Sequence, residues 1–301
     1  MVSSYDRGVT SKRRRGTGGI ARATLIAVTF EVGFYARRAN EANMKGIDKR
    51  LATQGKIQYA SRMRRGDVGR YVLMPGDRAR VPLMSALLEG AKEVGGGREY
   101  LAHTGLHRGI KVTVMSTGIG CPAAAIGVEE LANVGAKVFI RTGSTGALQK
   151  PIDIGDLVIP NGAVKSEGTT RMYEPDEFPA VPSFRVLSSL VAAAESLKEE
   201  LDFSYHVGIV SCDDAFYAET PEFIRRMTDL GALSLDMESA AVFVVSRLRG
   251  LESGCIMSAS ENFARKQIVP QRTPAALRRG WITETRVALR AVEILEGVSP
   301  T

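Results

Sequence analysis

Short apolar runs alternate with longer segments of helical period from residue 66 to residue 297, and this alternation leaves few possible architectures. Residues 71–74 and 137–141 are apolar runs of strand length, whereas residues 123–133 and 184–201 have the spacing of helices. Strands separated by helices favour a mainly parallel sheet covered on both faces. Since no repeat or linker interrupts this range, the pattern predicts one α/β domain with a mixed, mainly parallel central sheet flanked by helices.

The first 55 residues do not follow this pattern. The chain has 301 residues and a formal net charge of +7, and residues 1–50 hold 11 Lys and Arg against 4 Asp and Glu. The rest of the chain is therefore neutral, which argues against a basic groove that binds nucleic acid. We expect residues 1–55 to be a basic arm, disordered or absent from the working protein, and residues 56–301 to form the domain.

Membrane and metal sites are also disfavoured. Arg22 and Glu31 interrupt the apolar stretch 20–35, so it is too short and too charged to span a bilayer. The three cysteines are too few and too far apart for a disulfide scaffold or a zinc knuckle, which indicates a reducing cytoplasm. The chain has only three histidines, so we expect no metal.

Glycine, arginine and serine cluster where predicted strands end, which is where open α/β sheets bind ligands. After strand 71–74, Gly76 lets the backbone approach a ligand, and a helix over 79–88 offers its N–H groups and Arg80 to an anion. After strand 137–141, Arg141 is followed by three hydroxyl residues and two glycines, Ser144 among them. A guanidinium, hydroxyls and N–H groups that converge on one turn suit a phosphate; a buried structural arginine is the alternative.

Acidic and aromatic residues follow three other predicted strands. Glu238 begins a helix. The helix dipole alone is sufficient to explain an acid there, and the alternative is a carboxylate that accepts hydrogen bonds from a sugar diol. Glu261 is either a general acid or a cap of its loop. Phe216 is either a core residue or a platform on which a base stacks.

Taken in chain order, these motifs resemble those of the hexameric nucleoside phosphorylases, which include uridine phosphorylase and bacterial-type purine nucleoside phosphorylase. The matching motifs are Gly76-Asp77-x-x-Arg80, Arg98-Glu99-Tyr100, Ser116-Thr-Gly-Ile-Gly120, Arg141-x-Gly-Ser-Thr-Gly146 and Asp236-Met-Glu-Ser-Ala240. The resemblance covers residues 66–297. It is specific for the family and much less specific for the base.

The resemblance implies phosphorolysis, in which a nucleoside and inorganic phosphate give a free base and ribose 1-phosphate with no metal or organic cofactor. It also implies a homo-oligomer, a hexamer built from dimers that share active sites. The implied phosphate ligands are Gly76, Arg80, Arg98, Arg141 and Ser144, with Arg98 donated by a neighbouring subunit. The implied ribose ligands are Met237 and Glu238, the base contacts are Phe216 and Glu261, and the catalytic residues are Arg141 and Glu261.

Departures from the family pattern leave the base open. Uracil-reading members carry Gln and Arg soon after the matching phenylalanine, and residues 218–222 contain neither. Purine-cleaving members carry an aspartate where Glu261 stands, so both features favour a purine. Residues 166–170 and 173–181 and the motif beginning at Arg98 are more similar to uridine phosphorylases. We therefore expect a uridine phosphorylase-like enzyme, with a purine nucleoside or methylthioadenosine phosphorylase as the alternative.

Two other classes of protein are alternatives to a nucleoside phosphorylase. A nucleosidase would use water in place of phosphate and would not need Arg80, Arg98 and Arg141 together. Turnover with and without phosphate separates a phosphorylase from a nucleosidase. The second alternative is a non-catalytic protein that binds a nucleoside or nucleic acid through the basic arm; nucleoside cleavage that survives deletion of residues 1–55 would show that the arm is dispensable for catalysis.

Overall fold

The structure, a computed structural model, describes residues 57–267 and 275–298. The predicted arm 1–55 lies outside these residues. The strands are β1 (Tyr71–Met74), β2 (Glu89–Gly97), β3 (Tyr100–His107), β4 (Ile110–Met115), β5 (Val138–Ala147), β6 (Leu157–Ser166), β7 (Tyr205–Asp213), β8 (Ser234–Asp236) and β9 (Glu252–Asn262). The helices are α1 (Arg80–Ser85), α2 (Cys121–Val134), α3 (Phe184–Leu201), α4 (Pro221–Asp229), α5 (Ser239–Leu248) and α6 (Ala275–Leu295).

Within the described residues, the strands form one mixed sheet in the order β2-β3-β4-β1-β5-β8-β7-β6-β9. Strand β9 also pairs with β5, so β5, β8, β7, β6 and β9 form a closed ring. The pairs β1–β4, β1–β5, β5–β9, β6–β7 and β7–β8 are parallel, and the other four are antiparallel. The predicted α/β class with a mixed, mainly parallel sheet is confirmed.

Two apolar cores hold helices α1, α2, α3, α5 and α6 on opposite faces of the sheet, and α4 buries Met227 in a third, smaller core. Helices α2 and α5 bury Ala124, Val128 and Val242 in one core. Helices α1, α3 and α6 bury Val81, Leu190 and other aliphatic residues in the second core. Strands β1, β5 and β9 contribute apolar side chains to both cores, as the near-continuous apolar runs in the sequence predict.

Three elements differ from the sequence-based expectations. Strand β5 continues through Arg141 to Ala147, where we expected a turn, because β9 pairs with it along that whole length. Helix α1 ends at Ser85 instead of residue 88. Strand β2 was not predicted, because its glycines and charges hide the alternation of a strand. None of the helices in the described part of the chain has both the length and the apolar character needed to cross a membrane.

Candidate active site

A cavity of about 820 Å³ lies between the loop after β1, the second half of β5, the turn between β8 and α5, and the end of β9. It is lined by eight of the nine residues that the sequence singled out. These are Gly76, Arg80, Arg141, Ser144, Phe216, Met237, Glu238 and Glu261. Arg80 and Arg141, which lie 61 positions apart in the sequence, therefore face one shared space.

Arg141 is held in place by two carboxylates and a glycine. Its Nε donates to Oδ2 of Asp236 at 2.9 Å, and its Nη2 pairs with Glu238. A Cβ on Gly143 would lie 2.8 Å from Nη2, so the guanidinium can pack along β5 only because residue 143 is glycine. Burial acts to lower the pKa of Arg141, but Glu238 and Asp236 outweigh it and hold the pKa above its ordinary value.

Glu238 and Asp236 sit on the short turn that joins β8 to α5. Oε1 of Glu238 accepts the backbone N–H of Gly120 at 2.6 Å. Asp236 accepts the N–H and the hydroxyl of Ser239, which fixes the start of α5 and the carboxylate that orients Arg141. Burial raises the pKa of Glu238, and the neighbouring Arg141 opposes that rise. Glu238 therefore lines the cavity and pairs with Arg141, in addition to standing at the start of α5.

Two side chains of α6, Glu284 and Trp281, hold Arg80 in place. Its Nη2 donates to Oε1 of Glu284, which is fully buried and also accepts the hydroxyl of Ser258 at 3.0 Å. The indole ring of Trp281 lies 4.9 Å from the Arg80 guanidinium, within cation–π range. Burial raises the pKa of Glu284, and Arg80 opposes it.

Ser144 is tied to the same helix. The indole N–H of Trp281 donates to its Oγ at 2.9 Å. An indole nitrogen can only donate, so the serine oxygen is the acceptor and its own O–H stays available as a donor. Ser144 lines the cavity, and this O–H is therefore a candidate donor to a bound anion.

The loop after β1 contributes differently from what we expected. The N–H groups at the start of α1 are already used, because Ala79 donates to Oδ1 of Asp77, and Arg80 and Val81 donate to the carbonyls of Asp77 and Arg78. The expectation that the start of this helix offers free N–H groups to an anion was wrong. Gly76 instead packs closely on the neighbouring loop, and a Cβ there would lie 3.3 Å from the carbonyl of Gly118.

Two buried guanidinium nitrogens in this cavity still lack a partner. Arg80 and Arg141 are each 4% exposed. Among the described residues, Nε of Arg80 and Nη1 of Arg141 have no hydrogen-bond acceptor. A buried donor left unpaired costs about 1–3 kcal/mol, and an anion between the two arginines would remove that cost.

The other end of the cavity is aromatic and acidic. Phe216 and Tyr217 lie edge to face, 5.2 Å apart, and line the cavity together with Phe263. A Cβ on Gly146 would lie 2.6 Å from the Phe263 ring and 3.2 Å from Oε1 of Glu261. Gly146 is five residues beyond Arg141 on the same strand, which is about 16 Å of extended chain. The acidic end is therefore well separated from Arg141.

Glu219, just beyond the short 3₁₀ turn Phe216–Ala218, lines the same end. Burial raises the pKa of its carboxyl to about 7, and the negative charges of Asp213 and Glu261 act in the same direction. Asp213 is buried, and Oδ2 of its carboxyl has no partner within the described range. Glu219 and Glu261 therefore line this end of the cavity, and the buried Asp213 adds a negative charge that acts on Glu219.

Arg98 is the one predicted site residue that does not line the cavity of its own chain. Its Nη2 donates to the Tyr59 hydroxyl at 3.0 Å, and the guanidinium lies 5.3 Å from the Tyr59 ring. Its φ of 54° places it in the turn between β2 and β3. A contact between Arg98 and phosphate therefore stays a prediction, because it requires a second subunit.

Several residues of the site were not found by sequence reasoning. Trp281 and Glu284 lie three positions apart on α6, which places them on one helical face, but a helix of mixed composition gives no sign of where that face docks. Glu219 was noted only as a departure from the family pattern. The acid-rich stretch around Asp213 and Glu219 was the available signal.

Comparison with known proteins agrees with this geometry. The model of the phosphorylase superfamily matches residues 70–280. The uridine phosphorylase of Thermococcus kodakarensis is 41% identical over 227 residues, which are 71% of this chain and 80% of that protein. The guanosine phosphorylase of Halorubrum lacusprofundi is 43% identical over 197 residues, which are 65% of this chain and 80% of that protein.

A solved structure is similar over most of the described chain. The crystal structure of uridine phosphorylase from Vibrio fischeri matches with a TM-score of 0.72 at 32% identity, covering 78% of this chain and 96% of that one. The chain belongs to the phosphorylase superfamily, and the resemblance found in its sequence motifs is confirmed.

Proposed function

We propose that this chain is a nucleoside phosphorylase of the uridine phosphorylase type, which converts a ribonucleoside and inorganic phosphate reversibly to a free base and ribose 1-phosphate. The observation that carries the proposal is the pair of buried guanidiniums, Arg80 and Arg141, each with an unpaired N–H within the described residues and both facing one cavity. A dianionic phosphate satisfies both and accepts the free O–H of Ser144.

The proposed mechanism follows from the charges along the cavity. Cleavage of the glycosidic bond leaves positive charge on the ribosyl group, which a phosphate held by Arg80 and Arg141 stabilises. The same arginines align the phosphate for attack on the sugar carbon. Met237 and Glu238, which line the cavity on the turn between β8 and α5, are the proposed ribose contacts. Glu261 and Phe216 are the proposed base contacts, with Glu261 as the acid that protonates the base.

Guanosine is the second candidate substrate. The cavity end around Phe216 carries acids where uracil-reading members carry Gln and Arg, and guanine presents N–H donors that carboxylates accept. The relatives named above include both a uridine phosphorylase and a guanosine phosphorylase at similar identity. A panel of uridine, thymidine, inosine, guanosine, adenosine and methylthioadenosine identifies the preferred base.

Phosphate dependence tests the reaction class. Release of the free base is measured with and without phosphate, and ribose 1-phosphate is quantified as the second product. We expect base release to require phosphate and to match ribose 1-phosphate one to one. Turnover that is unchanged in phosphate-free buffer would identify a nucleosidase, and no turnover on any nucleoside would support the non-catalytic alternative.

We also propose that the enzyme is a homo-oligomer, a hexamer built from three dimers, whose paired subunits exchange Arg98. Co-expression of two inactive variants, Arg98→Ala and Arg80→Lys, tests this. In a mixed dimer, one site combines an intact Arg80 with the intact Arg98 of the partner subunit. We expect co-expression of the two variants to restore activity. If each site is instead complete within one chain, co-expression restores no activity.

The proposal includes no metal or organic cofactor, because the negative charge that the reaction needs comes from phosphate, a substrate. Extensive dialysis against a chelator is expected to leave activity unchanged. A cytoplasmic location remains a prediction from the low cysteine content.

A further inference from the structure

The proposed phosphate end of the cavity joins two buried guanidiniums to three buried carboxylates. Arg80 and Arg141 are each 4% exposed. Arg80 pairs with Glu284, and Arg141 pairs with Asp236 and Glu238; all three acids are buried as well. When ionised, these five side chains carry one net negative charge, although the proposed ligand of this place is itself an anion.

Phosphate binding increases this excess of negative charge. A dianionic phosphate adds two negative charges, and an Arg98 from a second subunit would offset one of them. Buried charge without a counter-charge is costly, and a carboxylate relieves that cost when it takes up a proton. One of the three carboxylates is therefore expected to be protonated when phosphate binds.

The contacts of Asp236 and Glu238 favour the ionised form. Oδ2 of Asp236 accepts the Nε–H of Arg141 and two backbone N–H groups at the start of α5, while Oδ1 accepts the hydroxyl of Ser239. Glu238 accepts the N–H of Gly120 and pairs with Arg141. N–H groups donate and cannot accept, so they stabilise a carboxylate in preference to a carboxylic acid.

Glu284 has a partner that suits both of its protonation states. One of its oxygens accepts Nη2 of Arg80, and the other accepts the hydroxyl of Ser258 at 3.0 Å. A hydroxyl can donate or accept, so Ser258 can donate to the carboxylate and accept from the carboxylic acid. The contact with Arg80 also persists, because a carboxylic acid keeps a C=O acceptor. A proton can therefore bind to Glu284 without a change in packing.

The groups around Glu284 agree with this assignment. Arg80 on α1 and Arg141 on β5 act on its charge, and β9 presents Ser258 and the buried thiol of Cys255. Helix α3 packs against α6 through aliphatic side chains of the second core. Burial raises the pKa of Glu284 to about 7, although Arg80 and Arg141 oppose this rise. Glu284 therefore titrates near neutral pH before any phosphate binds.

We propose that Glu284 is a positioning residue that takes up a proton from solvent when phosphate binds to Arg80 and Arg141. Nε of Arg80, which lacks an acceptor among the described residues, would donate to phosphate while Nη2 of the same guanidinium donates to Glu284. Two anions then share one guanidinium, so an ionised Glu284 opposes phosphate binding and a protonated one does not. The proton bonds to the oxygen that faces Ser258 and returns to solvent when ribose 1-phosphate leaves. The inference rests on the proposed phosphorolysis.

The first test compares phosphate binding by the wild type and by Glu284→Gln at two pH values. Glutamine resembles the protonated acid, because its C=O can accept from Arg80 and its charge is zero. If phosphate raises the pKa of Glu284 by about one unit from about 7, ionisation weakens wild-type binding about fivefold at pH 8 and hardly at pH 6. We therefore expect the Kd of the variant for phosphate to equal that of the wild type within about twofold at pH 6 and to be about fivefold lower at pH 8.

The ratio of variant to wild type at each pH cancels the titration of phosphate itself. The KM for phosphate, measured with the preferred nucleoside, gives the same comparison during turnover. A variant that merely loosens Arg80 would bind phosphate more weakly at both pH values, so tighter binding at pH 8 is specific to the proposed proton.

The second test counts the protons by isothermal titration calorimetry in buffers of different ionisation enthalpy. At pH 8 we expect the wild type to take up about 0.4 proton per site more than Glu284→Gln. Glu296→Gln is the control, because Glu296 follows α6, is 35% exposed and contacts Tyr71 and Arg70; it should keep the wild-type uptake. Circular dichroism confirms that each variant is folded.

Infrared difference spectra of the wild type, with and without phosphate, test the proposal with no substitution at all. Binding should add the C=O stretch of a protonated carboxyl group, and a folded Glu284→Gln should lack this band. Absence of the band from the wild type would overturn the proposal even if the variant did not fold.

The outcomes separate the inference from the proposed function. If the wild type binds phosphate with the same proton uptake as Glu284→Gln, the proton on Glu284 is refuted and phosphorolysis stands. Weaker phosphate binding by a folded Glu284→Gln at pH 6 and pH 8 alike would also overturn it, because Glu284 would then act only by holding Arg80. If the wild type neither binds phosphate nor needs it for base release, the proposed function itself fails.

Discussion

The guanidinium of Arg80 lies 4.9 Å from the ring of Trp281, and the N–H of that same ring donates to Ser144 at 2.9 Å. One aromatic side chain on α6 therefore positions two of the expected phosphate ligands, Arg80 at the start of α1 and Ser144 on β5. Glu284, one helical turn further along, pairs with the same arginine. The last helix of the chain supports the proposed phosphate site.

Trp281→Phe should weaken phosphate binding while leaving the nucleoside contacts intact. Phenylalanine keeps an aromatic face beside Arg80 but loses the N–H that orients Ser144. Loss of one neutral hydrogen bond is worth about 0.5–1.5 kcal/mol, so the KM for phosphate should rise by roughly two- to tenfold. Initial rates measured across phosphate concentrations check this, with the KM for the nucleoside as the internal control. An unchanged KM for phosphate would show that Trp281 does not act through Ser144.

Arg141→Ala should destabilise the fold as well as weaken phosphate binding. It leaves Asp236 and Glu238, which are both buried, without their cation. Breaking a buried ion pair in this way costs about 3–5 kcal/mol. Urea unfolding measures the loss, with Arg171→Ala as the control, because the Arg171–Asp176 pair is on the surface and such pairs contribute about 0–1 kcal/mol. Equal effects of the two substitutions would contradict the proposed role of the buried pairs.

Gly146→Ala should displace the acidic end of the cavity. The added Cβ would lie 2.6 Å from the Phe263 ring and 3.2 Å from Glu261, and overpacking of this kind costs about 1–3 kcal/mol. We expect kcat to fall more than the affinity for phosphate, because Arg80 and Arg141 lie elsewhere in the cavity. Gly162→Ala is the matched control: it is also in a strand, but its Cβ would have no neighbour nearer than 3.8 Å. Similar kinetics for both variants would show that Gly146 has no special part in the site.

The strands and helices were predictable where burial gives a clear apolar pattern. Helix α3 was predicted with its observed bounds, and β1 was predicted residue for residue. Strand β2 has the sequence EGAKEVGGG, which lacks apolar alternation because most of its side chains are at least partly exposed. The extension of β5 to Ala147 was missed because its glycines indicate a turn locally, whereas the register with β9 decides the outcome.

Only those site residues that belong to short, local sequence motifs were predictable. Arg80, Arg141 and Glu238 belong to compact motifs whose residue types indicate their chemistry. Glu284 lies 204 positions from Arg80, and nothing in a single sequence fixes which face of α6 docks against the cavity. Glu219 stands out only in three dimensions, because its burial and the nearby acids Asp213 and Glu261 together raise its pKa.

The raised pKa of Glu219 also predicts how pH affects folding stability. Its pKa is about 7 in the folded chain, compared with the ordinary 4.5, so the folded state retains a proton that the unfolded state releases. This contribution to stability is fully present below pH 4.5 and is lost as the pH rises through 7. Glu219→Gln removes the titration, so its Tm relative to the wild type should be higher at pH 8 than at pH 5. Differential scanning calorimetry at the two pH values checks this, with the exposed Glu222→Gln as control. A Tm difference that is the same at both pH values would mean that Glu219 titrates normally in the folded protein.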